Sequence, residues 1–144
     1  MDIEAQKKYN DWVITQIEKN ASDVFDSVAN EEYEGITYIS AEVKSISDKC
    51  ENIALSSYGC ELTVFFERYH THLDMFEDDD HENEFKEAIE LINDIVSEKT
   101  VLVTTLVGGE VVTSMLQEPN KIKKIESKVE KTEIKSWLGT YDQQ

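Results

Sequence analysis

The apolar residues of this chain change their spacing along its length, and that switch restricts the fold more than any single motif. From Ile3 to Val28 the spacing is helical: Tyr9, Trp12, Val13, Gln16, Ile17, Ala21, Val24, Phe25 and Val28 fall on one stripe. Asn20 and Ser22 are points at which this stretch can divide into two helices. Residues 31–35 read as a polar connector. From Ile36 the period drops to two, with Thr37, Ile39, Ala41 and Val43 alternating with Tyr38, Ser40 and Glu42. A turn over Ser47–Asn52 follows, and Ile53 resumes the strand. Ser56-Ser57-Tyr58-Gly59 is a bulge or a second turn, and Cys60–Tyr69 is rich in β-branched and aromatic residues. Together these predict an antiparallel pair.

The helical period then returns. Phe85, Ala88, Ile89, Ile92, Ile95 and Val96 form a clean stripe ending near Ser97, and Asp78, Asp79 and Asp80 stand before it as N-cap candidates. Val101–Val107 and Glu110–Leu116 flank Gly108-Gly109, a two-residue hairpin signal. A basic stretch from Lys121 to Lys135 leads into a last strand near Thr132–Leu138. Trp12 and Trp137 sit on core-facing patterns, with a partner contact through Trp137 and Tyr141 as the alternative. The expected architecture is α+β, a curved antiparallel sheet of five to six strands packed with two or three helices. One domain is expected over residues 1–144, with a helical segment at 3–28 and an α+β body at 36–138. Five Gly and one Pro argue against long linkers.

Charge carries the functional information. There are 31 acidic and 14 basic residues, a formal net charge of −17. Between Asp74 and Glu98 stand eleven acidic residues and one Lys, including the run Glu77-Asp78-Asp79-Asp80-His81-Glu82, whereas residues 121–144 carry six Lys against four acids. Such a field repels nucleic acid and anionic membranes and attracts basic partners. The hydrophobic fraction of 40% is that of a chain with a core, not of an acidic disordered tail. Met1-Asp2-Ile3-Glu4 has no basic region ahead of an apolar stretch, so no signal peptide is expected. No apolar run reaches the roughly 18–20 residues that span a bilayer. Cys50 and Cys60 form no CxxC pair and fit reduced thiols, so the expected location is the cytoplasm. Thirteen Lys against one Arg, with abundant Ile, Asn and Glu, is the composition of an AT-rich bacterial coding sequence.

Catalytic signatures are few. His70, His72 and Asp74 share one face if this stretch is a strand, and two imidazoles with a carboxylate suit a metal. An HxH followed by Asp also occurs in PHP-type phosphoesterases and JAMM-type isopeptidases. The further His of the first and the Ser-x₂-Asp element of the second are missing here. A hydrogen-bonded structural pair is the competing account. The acidic run lacks the D-x-D-x-D-G spacing of a calcium loop. Neither Cys has a His beside it in sequence, and there is no GxSxG, P-loop or GxGxxG. No enzymatic activity and no cofactor are expected.

The stretch Val64-Phe65-Phe66-Glu67-Arg68-Tyr69-His70-Thr71-His72-Leu73-Asp74-Met75-Phe76 carries a family resemblance. A strand ending in Tyr-His-Thr-His, then an acidic helix, then a short Gly-turn hairpin, resembles small bacterial immunity proteins of polymorphic-toxin and contact-dependent growth inhibition systems. The resemblance covers residues 53–118. It implies a cytoplasmic, non-enzymatic protein that binds the C-terminal toxin domain of a secreted effector and blocks it. Many such toxins are nucleases with basic clefts, and their inhibitors are commonly acidic.

Charge placement, not the resemblance, selects the contact residues. These are Asp74, Glu77, Asp78, Asp79, Asp80, Glu82 and Glu84, extending to Glu87, with Tyr69, Phe76 or Tyr58 as aromatic anchors. The expected partner is a basic toxin domain, a nuclease foremost. Three alternatives stand beside it: a small metal-dependent hydrolase using His70, His72 and Asp74; an acidic DNA-mimic or adaptor protein; and a homodimer formed through an exposed last strand.

Overall fold

The computed structural model describes residues 2–73, 80–123 and 127–143. The chain is α+β, and its described residues form two α-helices and eight strands that divide between two open antiparallel sheets. It forms two compact units: residues 1–44 with 52–91, and residues 45–51 with 92–144.

In the first unit, helix α1 (Ile3–Asn20) starts at Asp2, whose carboxylate accepts from the backbone N–H groups of Glu4 and Ala5 at 3.0 and 3.2 Å. The stripe expected to continue to Val28 stops at Asn20. Ser22, Asp23, Asp26 and Ser27 follow, short polar residues that compete for backbone groups and favour turns over helix. Asp26 does so directly, its Oδ2 accepting from the Lys44 N–H at 2.7 Å.

The residues expected as a connector belong instead to strand β1 (Ser27–Tyr33), which pairs antiparallel with β2 (Ile36–Val43). Only Glu34 and Gly35 form the turn. Both take positive φ, +50° and +80°, the backbone of a tight two-residue hairpin. Every residue of β1 is exposed, so it shows none of the one-sided alternation that marks a half-buried strand.

The expected pair after Ile36 is four strands. β2 is followed by β3 (Ile53–Ser56), β4 (Thr63–Phe66) and β5 (Tyr69–His72), in the sheet order β1-β2-β3-β4-β5. One turn precedes the stretch from Cys60 to Tyr69, close to the bulge or turn expected at Ser56–Gly59, and another interrupts it. The first is a short 3₁₀ turn at Tyr58–Cys60, and the second is Glu67-Arg68, where Glu67 takes φ of +55°. No Gly or Asn marks the second turn, which is why its sequence reads as continuous strand.

One face of this sheet carries Ile39, Ala41, Val43, Ile53, Leu55, Val64 and Phe66, all buried. Helix α1 lies against β2 and the 3₁₀ turn, burying Tyr9, Val13 and Ile17. Each such large apolar side chain contributes about 1.5–3 kcal/mol on leaving water.

Gln6, Asn10 and Ser57 form a buried polar network across this packing. Gln6 Nε2 donates to Asn10 Oδ1 at 2.8 Å and to the Ser57 carbonyl at 2.9 Å. Gln6 Oε1 accepts from the N–H groups of Gly59 and Cys60 at 2.9 and 3.2 Å. Asn10 Nδ2 donates to the Thr37 carbonyl at 2.9 Å, and the Ser57 hydroxyl donates to Asn10 Oδ1 at 2.7 Å while accepting from the Ile39 N–H at 2.8 Å. A buried network satisfied in this way fixes helix, sheet and turn in one register.

Helix α2 (His81–Val96) begins in the first unit and ends in the second. Its predicted stripe is realised, with Phe85, Ala88, Ile92 and Ile95 buried.

The second unit holds β6 (Val101–Val107), β7 (Glu110–Gln117) and β8 (Glu130–Lys135), in the order β7-β6-β8. Gly108 and Gly109, at φ of +61° and +82°, make the predicted hairpin turn. Val101, Val103 and Ile134 form a small core, with Ile122 against it. Trp137 is buried, as its pattern implies, with its carbonyl accepting from Cys50 Sγ at 3.3 Å. The last strand ends at Lys135, short of Leu138. Beyond it Asp142 Oδ1 accepts from the Ser136 N–H and hydroxyl at 2.6 and 2.9 Å, closing a turn that brings Gln143 back to bridge Ile134 of β8. Among the described residues no helix is long and apolar enough to cross a membrane.

Candidate partner-binding surface

Charge is divided very unequally between the two units. The first holds 21 acidic and 6 basic residues, a net −15, and the second holds 10 acidic and 8 basic, a net −2. The acidic excess noticed along the sequence is thus a property of one folded unit.

Of the expected contact residues, Asp74, Phe76, Glu77, Asp78 and Asp79 lie outside the described residues. Asp80 is exposed and caps α2. Its Oδ1 accepts from the Asn83 N–H at 3.2 Å and its Oδ2 from Asn83 Nδ2 at 2.6 Å. Glu82 and Glu87 are exposed on α2.

Glu84 does not belong to a contact surface. It is 4% exposed, and His81 Nδ1 donates to its Oε2 at 3.2 Å. Its place in the helical repeat, four residues before the buried Ala88, turns it inward. The His81 ring in turn packs edge-on to Tyr9 at 5.1 Å and lies 5.7 Å from Trp12. Burial first, and then the Glu84 charge, push the Tyr9 phenol well above its ordinary value. The Tyr9 hydroxyl has no hydrogen-bond partner among the described residues.

Tyr69 is half-buried and pairs with Phe66 on the core-facing side of β5, so it is not presented with the histidines. His70 and His72 do share the outer face, with ring centroids 5.4 Å apart. Both rings have other neighbours. His72 Nδ1 lies 2.8 Å from Glu61 Oε1 and 2.9 Å from Thr63 Oγ1, and the His70 ring stacks on Phe65 at 5.8 Å. Among the described residues no three His, Cys, Asp or Glu side chains converge as metal ligands would. Asp74 lies outside them.

The outer face of the five-stranded sheet holds a surface that the sequence did not announce. Tyr33, Tyr38, Tyr58 and Phe65 wall a shallow groove of about 350 Å³, floored by Ala54 and Ser56. Tyr58 meets Tyr33 at 5.6 Å and Tyr38 at 5.5 Å, both with ring planes near perpendicular. Register places Glu31 opposite Tyr38, and Glu42 opposite Ala54, on this same face. No strand of this sheet contains Lys or Arg. The available signal was Tyr38 in the polar phase of the β2 alternation. Tyr33 was hidden in the supposed connector, and Tyr58 was one of three suggested anchors.

No family model matches the chain, and no curated protein or solved structure does.

Proposed function

We propose that this protein is an immunity-type inhibitor that binds a basic toxin domain, a nuclease foremost, in the bacterial cytoplasm and holds it inactive. The observation that carries this reading is the segregation of charge: a net −15 on the first unit against −2 on the second. A nuclease must hold phosphates, so its cleft carries Lys and Arg. Carboxylates fixed on a folded scaffold can occupy those phosphate sites. Opposite net charge also speeds encounter, toward about 10⁸–10⁹ M⁻¹s⁻¹ at low salt. Fast capture suits a protein that must reach a toxin before the toxin reaches its substrate. The exposed acids Asp80, Glu82 and Glu87 and the neighbouring Asp74, Glu77, Asp78 and Asp79 are candidates for the electrostatic contact.

The test has two steps. The partner is captured from the producing cell and identified by mass spectrometry, and the pair is then reconstituted from purified components. The expected result is a basic domain whose toxic activity disappears at equimolar inhibitor. An acidic or neutral partner, or one that stays fully active in the complex, would refute the reading.

A further inference from the structure

We infer that the aromatic groove on the outer face of the five-stranded sheet receives an arginine side chain of the basic protein partner; this rests on the inhibitor reading above and supplies its point of specificity. The groove has the chemistry a guanidinium needs. The Tyr58 ring stands at about 80° to the rings of both Tyr33 and Tyr38, at centroid distances of 5.5–5.6 Å, and Phe65 closes a further side. Aromatic faces attract a cation through the ring quadrupole, and the planar guanidinium can also stack on them. Glu31 and Glu42 stand beside the groove by strand register, each with no ion-pair partner among the described residues. They offer carboxylates to the five guanidinium donors, which an ammonium could match only as a point charge.

The surface is open: Tyr33 is 56% exposed and Phe65 43%. The strands of this sheet contain neither Lys nor Arg, and the nearest ionisable base is His70, whose ring stacks on Phe65 at 5.8 Å. A second copy of this chain is a poor occupant. Each copy carries −17 and has a single arginine, Arg68, to offer. The acidic run then steers the partner, and the groove holds it, in keeping with interfaces where desolvated aromatic and Arg anchors dominate affinity.

The test is a titration of the full chain at low ionic strength with a hexapeptide of alternating Gly and Arg, followed by aromatic carbon–proton NMR. The same titration is run with Lys in place of Arg. The expected result is saturable shifts of the Tyr33, Tyr58 and Phe65 ring signals, with the Lys peptide binding more weakly. Tyr58→Leu and Phe65→Leu should each weaken binding about tenfold, and Tyr58→Phe should keep it, because a ring without its hydroxyl still offers a π face. An unchanged backbone amide spectrum establishes that each variant is folded.

Shifts confined to α2 would overturn the groove assignment while leaving the basic-partner reading intact. Equal affinity for the Lys peptide would overturn the arginine assignment. Concentration-dependent shifts of the groove without peptide would assign it to a second copy instead. No shift at all would also sink the groove, whereas the inhibitor reading stands or falls separately on reconstitution with the captured partner.

Discussion

The two units of this molecule solve different problems with similar materials. Both are built on antiparallel strands, yet one carries −15 and the other −2. The first unit pins helix α1 to its sheet with a buried polar network of Gln6, Asn10 and Ser57. The second relies on a small core of Val101, Val103 and Ile134, and on local polar turns at its chain end. Like charges crowded on one unit oppose its compaction. A network that tolerates no alternative register is one way to keep such a unit uniquely folded, though satisfied buried polar groups confer specificity more reliably than stability. The lesson is that charge here is a property of one folded unit, carried by a scaffold fixed from within.

That contrast can be tested by removing one device at a time. Gln6→Ala should have the largest effect. It leaves the Gly59 and Cys60 N–H groups and the Ser57 carbonyl without their partner, and unpaired buried groups make the cost about 3 kcal/mol in urea denaturation. A loss below about 1 kcal/mol would mean that water replaces the network readily.

In the second unit, Glu98→Gln should cost about 1 kcal/mol at pH 7, kept small because solvent screens a carboxylate that is not fully buried. Burial acts to raise the Glu98 carboxyl, but hydrogen bonds from Thr140, Ser136 and the Leu138 and Thr140 backbone outweigh it and hold the group below its ordinary value. Thr140 Oγ1 donates to Glu98 Oε1 at 2.6 Å. A carboxylate so depressed contributes stability at neutral pH that is lost as pH falls through its folded value. The difference between wild type and variant should therefore be present at pH 7 and shrink as pH falls through the folded-state value of the carboxyl, below its ordinary range. A difference independent of pH would assign the effect to packing instead.

Tyr9→Phe should be the smallest change, neutral or stabilising by up to about 1 kcal/mol, because the deleted hydroxyl is buried without a partner among the described residues. A clear loss of thermal stability would reveal a hydrogen bond to that hydroxyl.

What the sequence disclosed follows from where period and composition are physically forced. Phe85, Ala88, Ile92 and Ile95 must face a core, and that need writes helix α2 into the spacing. Gly108-Gly109 must adopt positive φ, and that writes the hairpin. Strand β1 escaped because all its residues are exposed and none is constrained by a core. The Glu67-Arg68 turn escaped because Glu67 occupies a backbone region usually left to Gly or Asn. Division of the strands into two sheets was not legible, since pairing partners are set by tertiary contacts. The same holds for the surface. Glu84 reads as one more acid of the run, and only the packing beside Phe85 reveals its burial. The aromatic groove gathers residues from β1, β2, β3, β4 and a turn, so no local window contains it.

The central claim is that the acidic unit meets the basic partner, and association kinetics test it most directly. The rate of binding to the captured partner should be measured against ionic strength for two triple variants. One combines Asp78→Asn, Asp79→Asn and Asp80→Asn, which precede α2 in the sequence. The other combines Glu110→Gln, Glu130→Gln and Glu133→Gln in the second unit. The expected result is that the first slows association several-fold at low salt, by roughly the loss of steering three charges supply, and flattens its salt dependence, while the second leaves both unchanged. Equal slowing by both, or none by the first, would contradict the account.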